Sequence, residues 1–251
     1  MVCVSKQLKT SKTMKSENAI SAIGDTFLAP TKAFNGLKDA KGWSWLAMIL
    51  LFVFGISAQV IYFNSVDQAY FVEQQIATME QSGDYNPAEL EQAEAMTAQQ
   101  FPMMWIFSAV GVLIGIPTIF CIFALYYYLI GKQDPECHMT FGDWFGFTAF
   151  TSLPTIFAAI GTMALVLTAS SGEIPATVLT FSSLNQLIFG FDANHAFTGL
   201  LESINIFSIW SLALTYIGLK SWTNFNNNKA MLFALLPSIL IYGIWAIIAA
   251  L

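Results

Sequence analysis

Residues 131–169 read GKQDPECHMTFGDWFGFTAFTSLPTIFAAIGTMALVLTA, a short charged turn followed by a run with no ionisable side chain between Asp143 and Glu173. Crossing a hydrocarbon core about 30 Å thick takes about 20 residues of helix. The run from Trp144 to Ala169 is longer than that, so it predicts a membrane-spanning helix, the third and central one of five.

Composition points the same way. The 251 residues are 56% hydrophobic and 10% charged, where an ordinary soluble domain carries about 25% charged residues. The mean hydropathy is +0.60. These values fit an all-α integral membrane protein. A net charge of -6 and a sequence without arginine exclude a nucleic-acid partner, because nothing is present to neutralise phosphates or read guanine. The three cysteines, Cys3, Cys121 and Cys137, lie in a tail, a span and a turn, which gives no disulfide framework. Cys137-His138 lacks the second ligand pair that a metal site requires, so neither metal nor cofactor is expected.

Residues 1–42 form a lysine-rich tail. No short apolar core with a cleavage site precedes the first long apolar run, so that run should remain as an anchor. Within the tail, Ile20, Ile23, Phe27, Leu28, Phe34 and Leu37 recur at helical intervals and predict a short amphipathic segment interrupted by Pro30, lying on the cytoplasmic face or docking a partner.

Residues 43–251 form the membrane domain, with spans at about 43–63, 102–131, 144–169, 199–219 and 230–251. Trp43, Trp45, Tyr62 and Phe63 mark the two interfaces of the first span. Residues 64–101 carry Asp67, Glu73, Glu80, Asp84, Glu89, Glu91 and Glu94 and no lysine, and they predict an acidic helical hairpin outside the membrane. Its first arm, with Val66, Tyr70, Ile76 and Met79, reads as a continuation of the first span. Its second arm starts at Asn86-Pro87-Ala88-Glu89, an N-cap acceptor with proline at the first helical position and Glu at the third.

The second span contains Gly111 and Gly115, four apart, which let another helix approach closely, and Pro117, which removes an N–H and should kink the helix. Pro154 and Pro237 predict kinks in the third and fifth spans. In the fourth, Asn205, Ser208, Ser211 and Thr215 share one face and predict a polar stripe turned toward other helices. Of the ten lysines, seven precede the first span, Lys132 follows the second, and Lys220 and Lys229 flank the turn between the fourth and fifth. The connections after spans one and three are lysine-free. The positive-inside rule therefore places the N-terminus in the cytoplasm and the C-terminus outside.

The chain resembles the Ypt-interacting protein (YIP) family. The resemblance rests on FLAPTKAFNGL, then Gly131-Lys132 with TFGDWFGFTAFTSLP ending at Pro154. It continues through Trp210-Ser211-Leu212 with Gly218-Leu219, and Lys229-Ala230 with LLP ending at Pro237. It implies five spans behind a cytosolic segment and a short non-cytosolic C-terminus, from about Asp25 onward. Eukaryotic members associate with Rab-type GTPases, with each other and with vesicle-trafficking partners; bacterial members are mostly without an assigned activity. The Asp-Leu-Tyr-Gly-Pro motif of the eukaryotic branch is met here only by Asp25-Thr26-Phe27-Leu28-Ala29-Pro30, so a GTPase partner does not carry over. The short tail and acidic hairpin resemble the bacterial branch and imply the bacterial cytoplasmic (inner) membrane.

No nucleophile with a base, acid pair or metal set lies well inside a span, so no catalytic residue is assigned. The resulting expectation is a non-catalytic scaffold or interaction protein whose partners are the lipid bilayer and a membrane or cytoplasmic protein, or a second copy of itself. The alternative is a small-molecule or ion transporter or channel component acting as an oligomer, with the kinking prolines and the polar stripe lining a path.

Overall fold

The structure, a computed structural model, describes residues 14–251; Cys3, Lys6, Lys9 and Lys12 lie outside the described residues. It is built of helices, with no strand among those residues: α1 (Ala19–Leu28), α2 (Pro30–Leu37), α3 (Trp43–Ser65), α4 (Gln68–Ser82), α5 (Pro87–Gln100), α6 (Met104–Gly131), α7 (Phe141–Thr151), α8 (Thr155–Leu167), α9 (Thr198–Ser203), α10 (Ile206–Trp222) and α11 (Asn227–Ala250). Four stretches are long and apolar enough to cross a membrane: Trp43–Ser65, Pro87–Gly131, Phe141–Leu167 and Asn227–Ala250. Between the last two runs α10, whose 17 residues extend about 25 Å at 1.5 Å per residue.

Local chemistry sets the boundaries, and in three places it differs from the sequence reading. The first arm of the hairpin is a separate helix rather than a continuation of the first span. The chain turns extended at Val66, and the Asp67 side chain accepts the Tyr70 amide (3.0 Å) to cap α4, while the Asp67 amide donates to the Gly172 carbonyl. The second arm is continuous with the second span, because one 3-10 turn at Phe101–Met103 joins α5 to α6. The fourth span does not start at Gly199. The Asn205 side chain accepts the Ser208 amide (2.8 Å) and Ser208 Oγ accepts the Asn205 amide (3.2 Å), a reciprocal box that starts α10 at Ile206 and leaves Thr198–Ser203 as a short separate helix.

The expected start at Asn86 forms as read, with Glu89 and Asn86 capping each other at 2.8 and 3.0 Å. The connection from 170 to 198 folds back onto the helices. Leu184 and Ile206 donate across it to Ile204 and Ser182, and Tyr62 Oη donates to Ile174.

The main core lies at the Lys132 end of the bundle. Trp144, Phe147 and Phe150 of α7 and Leu153 just after it are fully enclosed and pack with Phe34, Tyr127 and Trp222. Ring centroids stand 5.0 Å apart for Trp144–Trp222, 5.1 Å for Phe147–Trp222 and 5.4 Å for Phe34–Phe147. Such spacings match the preferred geometry of aromatic pairs. The tail thus enters the core. α2 buries Ala33, Phe34 and Leu37, and Trp222 Nε1 donates to the Phe34 carbonyl at 2.9 Å. A smaller cluster of Tyr62, Val66, Phe71, Val166 and Ile174 closes the opposite end, under the hairpin.

Candidate functional site

A cavity of about 410 Å³ lies between α6, α7, α8, α10 and α11. Three members of the expected polar stripe, Ser208, Ser211 and Thr215, line it. Asn205 does not; its side chain is used up in capping α10. Facing the stripe are Thr148, Thr151, Ser152 and Thr155 from the third span, and Ser238 and Tyr242 from α11. Thr151 lies about 15 Å along the helix from Phe141, at 1.5 Å per residue, which is near mid-membrane depth.

Six of these hydroxyls spend their hydrogens on their own helices. Thr148, Thr151 and Thr155 donate to the carbonyls of Trp144, Thr148 and Ser152 at 3.0, 3.0 and 2.8 Å. Ser208, Ser211 and Thr215 donate to those of Asn205, Phe207 and Ser211 at 2.6, 3.1 and 2.9 Å. Each is left presenting lone pairs. No charged side chain lines the cavity, and the remaining wall includes Ile119, Phe123, Ile209 and Leu212.

The three prolines act in three ways. Pro154 does more than kink: it interrupts the third span, with Leu153 and Thr155 donating three residues back to Phe150 (3.2 Å) and Ser152 (3.0 Å). Irregular backbone at this depth is tolerated where it is buried or lines a cavity, and this break does both. Pro237 sits inside α11 and cannot supply an N–H to the Phe233 carbonyl; Tyr126 Oη from α6 donates to that carbonyl at 2.9 Å and replaces the missing bond. Pro117 likewise sits inside α6, and no described side chain donates to the Leu113 carbonyl it releases.

Glycines divide into two kinds. A Cβ built on Gly131 would stand 2.8 Å from Trp144, and those on Gly146, Gly161 and Gly218 would overlap Ser44, Phe181 and Phe147. One built on Gly111 or Gly115 would meet nothing within 4 Å. The expected seam is therefore open among the described residues.

A family model described as Yip1 domain matches residues 24–248. The chain belongs to the Yip1 domain family. No curated protein and no solved structure matches it. As a Yip1-domain protein with several helices able to cross a bilayer, it is an integral membrane protein.

In this Yip1-domain chain the tail segment from Ile20 to Leu37, read as lying on the cytoplasmic face or docking a partner, packs largely against the chain's own helices. Asp25 accepts from Ser16 Oγ at 2.7 Å and pairs with Lys32 at 3.0 Å, and these contacts hold its carboxyl below the ordinary range, the Ser16 bond most strongly. Phe27 packs edge-on against Phe157 (5.2 Å) and Trp210 (5.5 Å). Among the tail's described apolar residues, Met14, Ile20 and Leu28 remain outside, at 74%, 77% and 88% exposed. Nearby, Asp134 accepts the Asn224 amide at 2.6 Å and Glu136 accepts from Asn224 Nδ2 at 2.7 Å, tying the turn after α6 to the turn before α11. Burial lowers the Lys38 ammonium and raises the Cys137 thiol beside it.

The third-span hydroxyls went unread in the sequence although a signal was there. Thr148, Thr151, Ser152 and Thr155 are spaced three, four and seven apart, one face of a helix. Ser238 and Tyr242, four apart on α11, repeat it.

Proposed function

We propose that this Yip1-domain protein is a non-catalytic membrane scaffold that works by pairing helices. Its outer α6 face at Gly111 and Gly115 takes up a helix from a second copy or from another membrane protein, in membrane organisation of a trafficking-like kind. The observation that carries this reading is the contrast among glycines: those that serve the chain's own packing are pressed by a neighbour, whereas Gly111 and Gly115 are bare. Helix association in lipid depends on close backbone approach, which small residues permit.

In the same reading α10 is the fifth span, the lysine-bearing end faces the cytoplasm, and the membrane is the bacterial cytoplasmic one. The distribution of Lys132, Lys220 and Lys229 at the end of the bundle opposite the acidic hairpin supports that orientation.

The test is energy transfer between labelled full-length copies diluted stepwise in liposomes, with Gly111→Leu/Gly115→Leu as the variant. Association that weakens at least tenfold while helicity and thermal stability are kept supports the scaffold. Association unaffected by the double substitution, together with no loss of protein adducts from a photo-crosslinker at Ile114 in native membranes, rejects it. A second reading, a transporter or channel component acting as an oligomer, is favoured by the hydroxyl-lined cavity at the break in the third span. Solute flux in the same liposomes tests it.

A further inference from the structure

We propose that the cavity between α6, α7, α8, α10 and α11 binds the polar end of an uncharged, hydroxyl-bearing lipid of the mono- or diacylglycerol class. The inference does not rest on pairing through α6, which uses different residues.

The lining selects by hydrogen-bonding capacity. Six hydroxyls whose hydrogens are committed to backbone carbonyls offer acceptors only. Three more, on Ser152, Ser238 and Tyr242, line the cavity and make no hydrogen bond among the described residues, and the Tyr127 hydroxyl lines it beside Thr215. A polar group held away from water without a partner costs about 1–3 kcal/mol, so this wall asks for a guest that both donates and accepts. A hydroxyl does both, and a glycerol end carrying one or two of them meets the two kinds of wall together. An ester or a hydrocarbon end would leave the acceptors facing one another.

Charge excludes the other membrane amphiphiles. With neither a basic nor an acidic side chain in the lining, a phosphate, carboxylate or ammonium would sit unpaired at membrane depth, which is costly for any ion. The volume of about 410 Å³ falls in the range of pockets that hold small molecules, roughly 300–1,000 Å³. Ile119 and Ile209 on the lining are 51% and 52% exposed, so the cavity meets the surrounding bilayer there and an acyl chain has an apolar way out.

The probe is a monoacylglycerol with a diazirine near its headgroup, added to full-length protein in phosphatidylcholine nanodiscs, with adducts mapped by mass spectrometry. Adducts are expected on α8, α10 or α11 residues of the lining. Monoolein is expected to reduce them at least tenfold, and methyl oleate and oleate at the same concentration to leave them unchanged. Thr151→Val and Thr215→Val keep side-chain shape and remove an acceptor; each should lower labelling about fivefold. Ser238→Ala removes a hydroxyl that bonds nothing in the protein, so it should preserve the melting temperature while lowering labelling, and it decides the matter if a valine variant fails to fold. Equal competition by methyl oleate overturns the proposal. So do adducts confined to the lipid-facing side of α6, a cavity holding water alone and giving no adduct, or Ser238→Ala labelling as strongly as the parent.

Discussion

The two ends of α6 carry the same residue type in opposite surroundings. At its last turn Gly131 lies under the Trp144 indole, 2.8 Å from where a Cβ would stand, and the turn belongs to a core of Trp144, Phe147, Phe34 and Trp222. About four to six turns earlier in the same helix, Gly111 and Gly115 face open space, and their neighbours Phe107, Val110 and Ile114 are exposed. A glycine in a span permits close approach; whether a helix of the same chain takes it up depends on what the rest of the bundle brings there. Here α7 fills the inner end, and nothing among the described residues fills the space over Gly111 and Gly115. The difference teaches that the inner end holds the fold and the outer half is free to serve association.

Breaking the packed end should have the largest effect. Phe34→Ala removes a fully enclosed ring and should cost about 3–5 kcal/mol of stability, as large-to-small core changes do. Release of α1 and α2 to protease, seen as rapid loss of the tail from protein in nanodiscs, checks it. Retention of the tail would show that the core tolerates a detached α2.

The next effect separates two tryptophans of that core. Trp222 Nε1 donates to the Phe34 carbonyl, whereas Trp144 Nε1 is buried with no partner among the described residues. Both Trp→Phe changes lose ring volume, but only Trp222→Phe also removes a hydrogen bond, leaving the Phe34 carbonyl with the Lys38 amide at 3.3 Å. It should be the more destabilising by about 0.5–1.5 kcal/mol in chemical denaturation.

A smaller effect is expected from Asp25. Because Ser16 and Lys32 hold its carboxyl below the ordinary value, it contributes stability that is present above about pH 4 and lost as pH falls through the lowered folded value. The exchange protection of α1, taken relative to an unstructured chain at the same pH, should therefore stay constant above about pH 4 and fall below it, and Asp25→Asn should remove that dependence. The smallest effect is at the open end. Gly111→Leu/Gly115→Leu should leave the unfolding midpoint of the isolated protein unchanged to within about 0.5 kcal/mol, as surface substitutions do. A large fall would mean that the outer half of α6 packs within the chain after all.

Much of the architecture was legible because hydropathy and end signals are local. Apolar runs long enough to span, the Asn86 cap and the helix break at Pro154 each follow from a few neighbouring residues. The Asn205 box was equally local, in the pair Asn205 and Ser208, but was overlooked beside the apolar run that surrounds it. The candidate cavity was half legible: Ser208, Ser211 and Thr215 were read as one face, while the matching hydroxyl rows on α7, α8 and α11 acquire meaning only when placed opposite it.

Sequence alone thus determined that the chain is helical, lies in a membrane, carries an acidic hairpin on one side and lysines on the other, and shows the pattern of the Yip1 domain. These depend on composition and periodicity, which a chain possesses before it folds. Tertiary structure alone decided that the tail is part of the core, that Tyr126 repairs the bond Pro237 leaves open, that Gly111 and Gly115 remain bare, and that three rows of hydroxyls enclose one cavity. Each of those joins residues far apart in the chain, and in lipid, where apolar surface does not by itself select a neighbour, such pairings are set by shape and by hydrogen bonds that exist only once the helices meet.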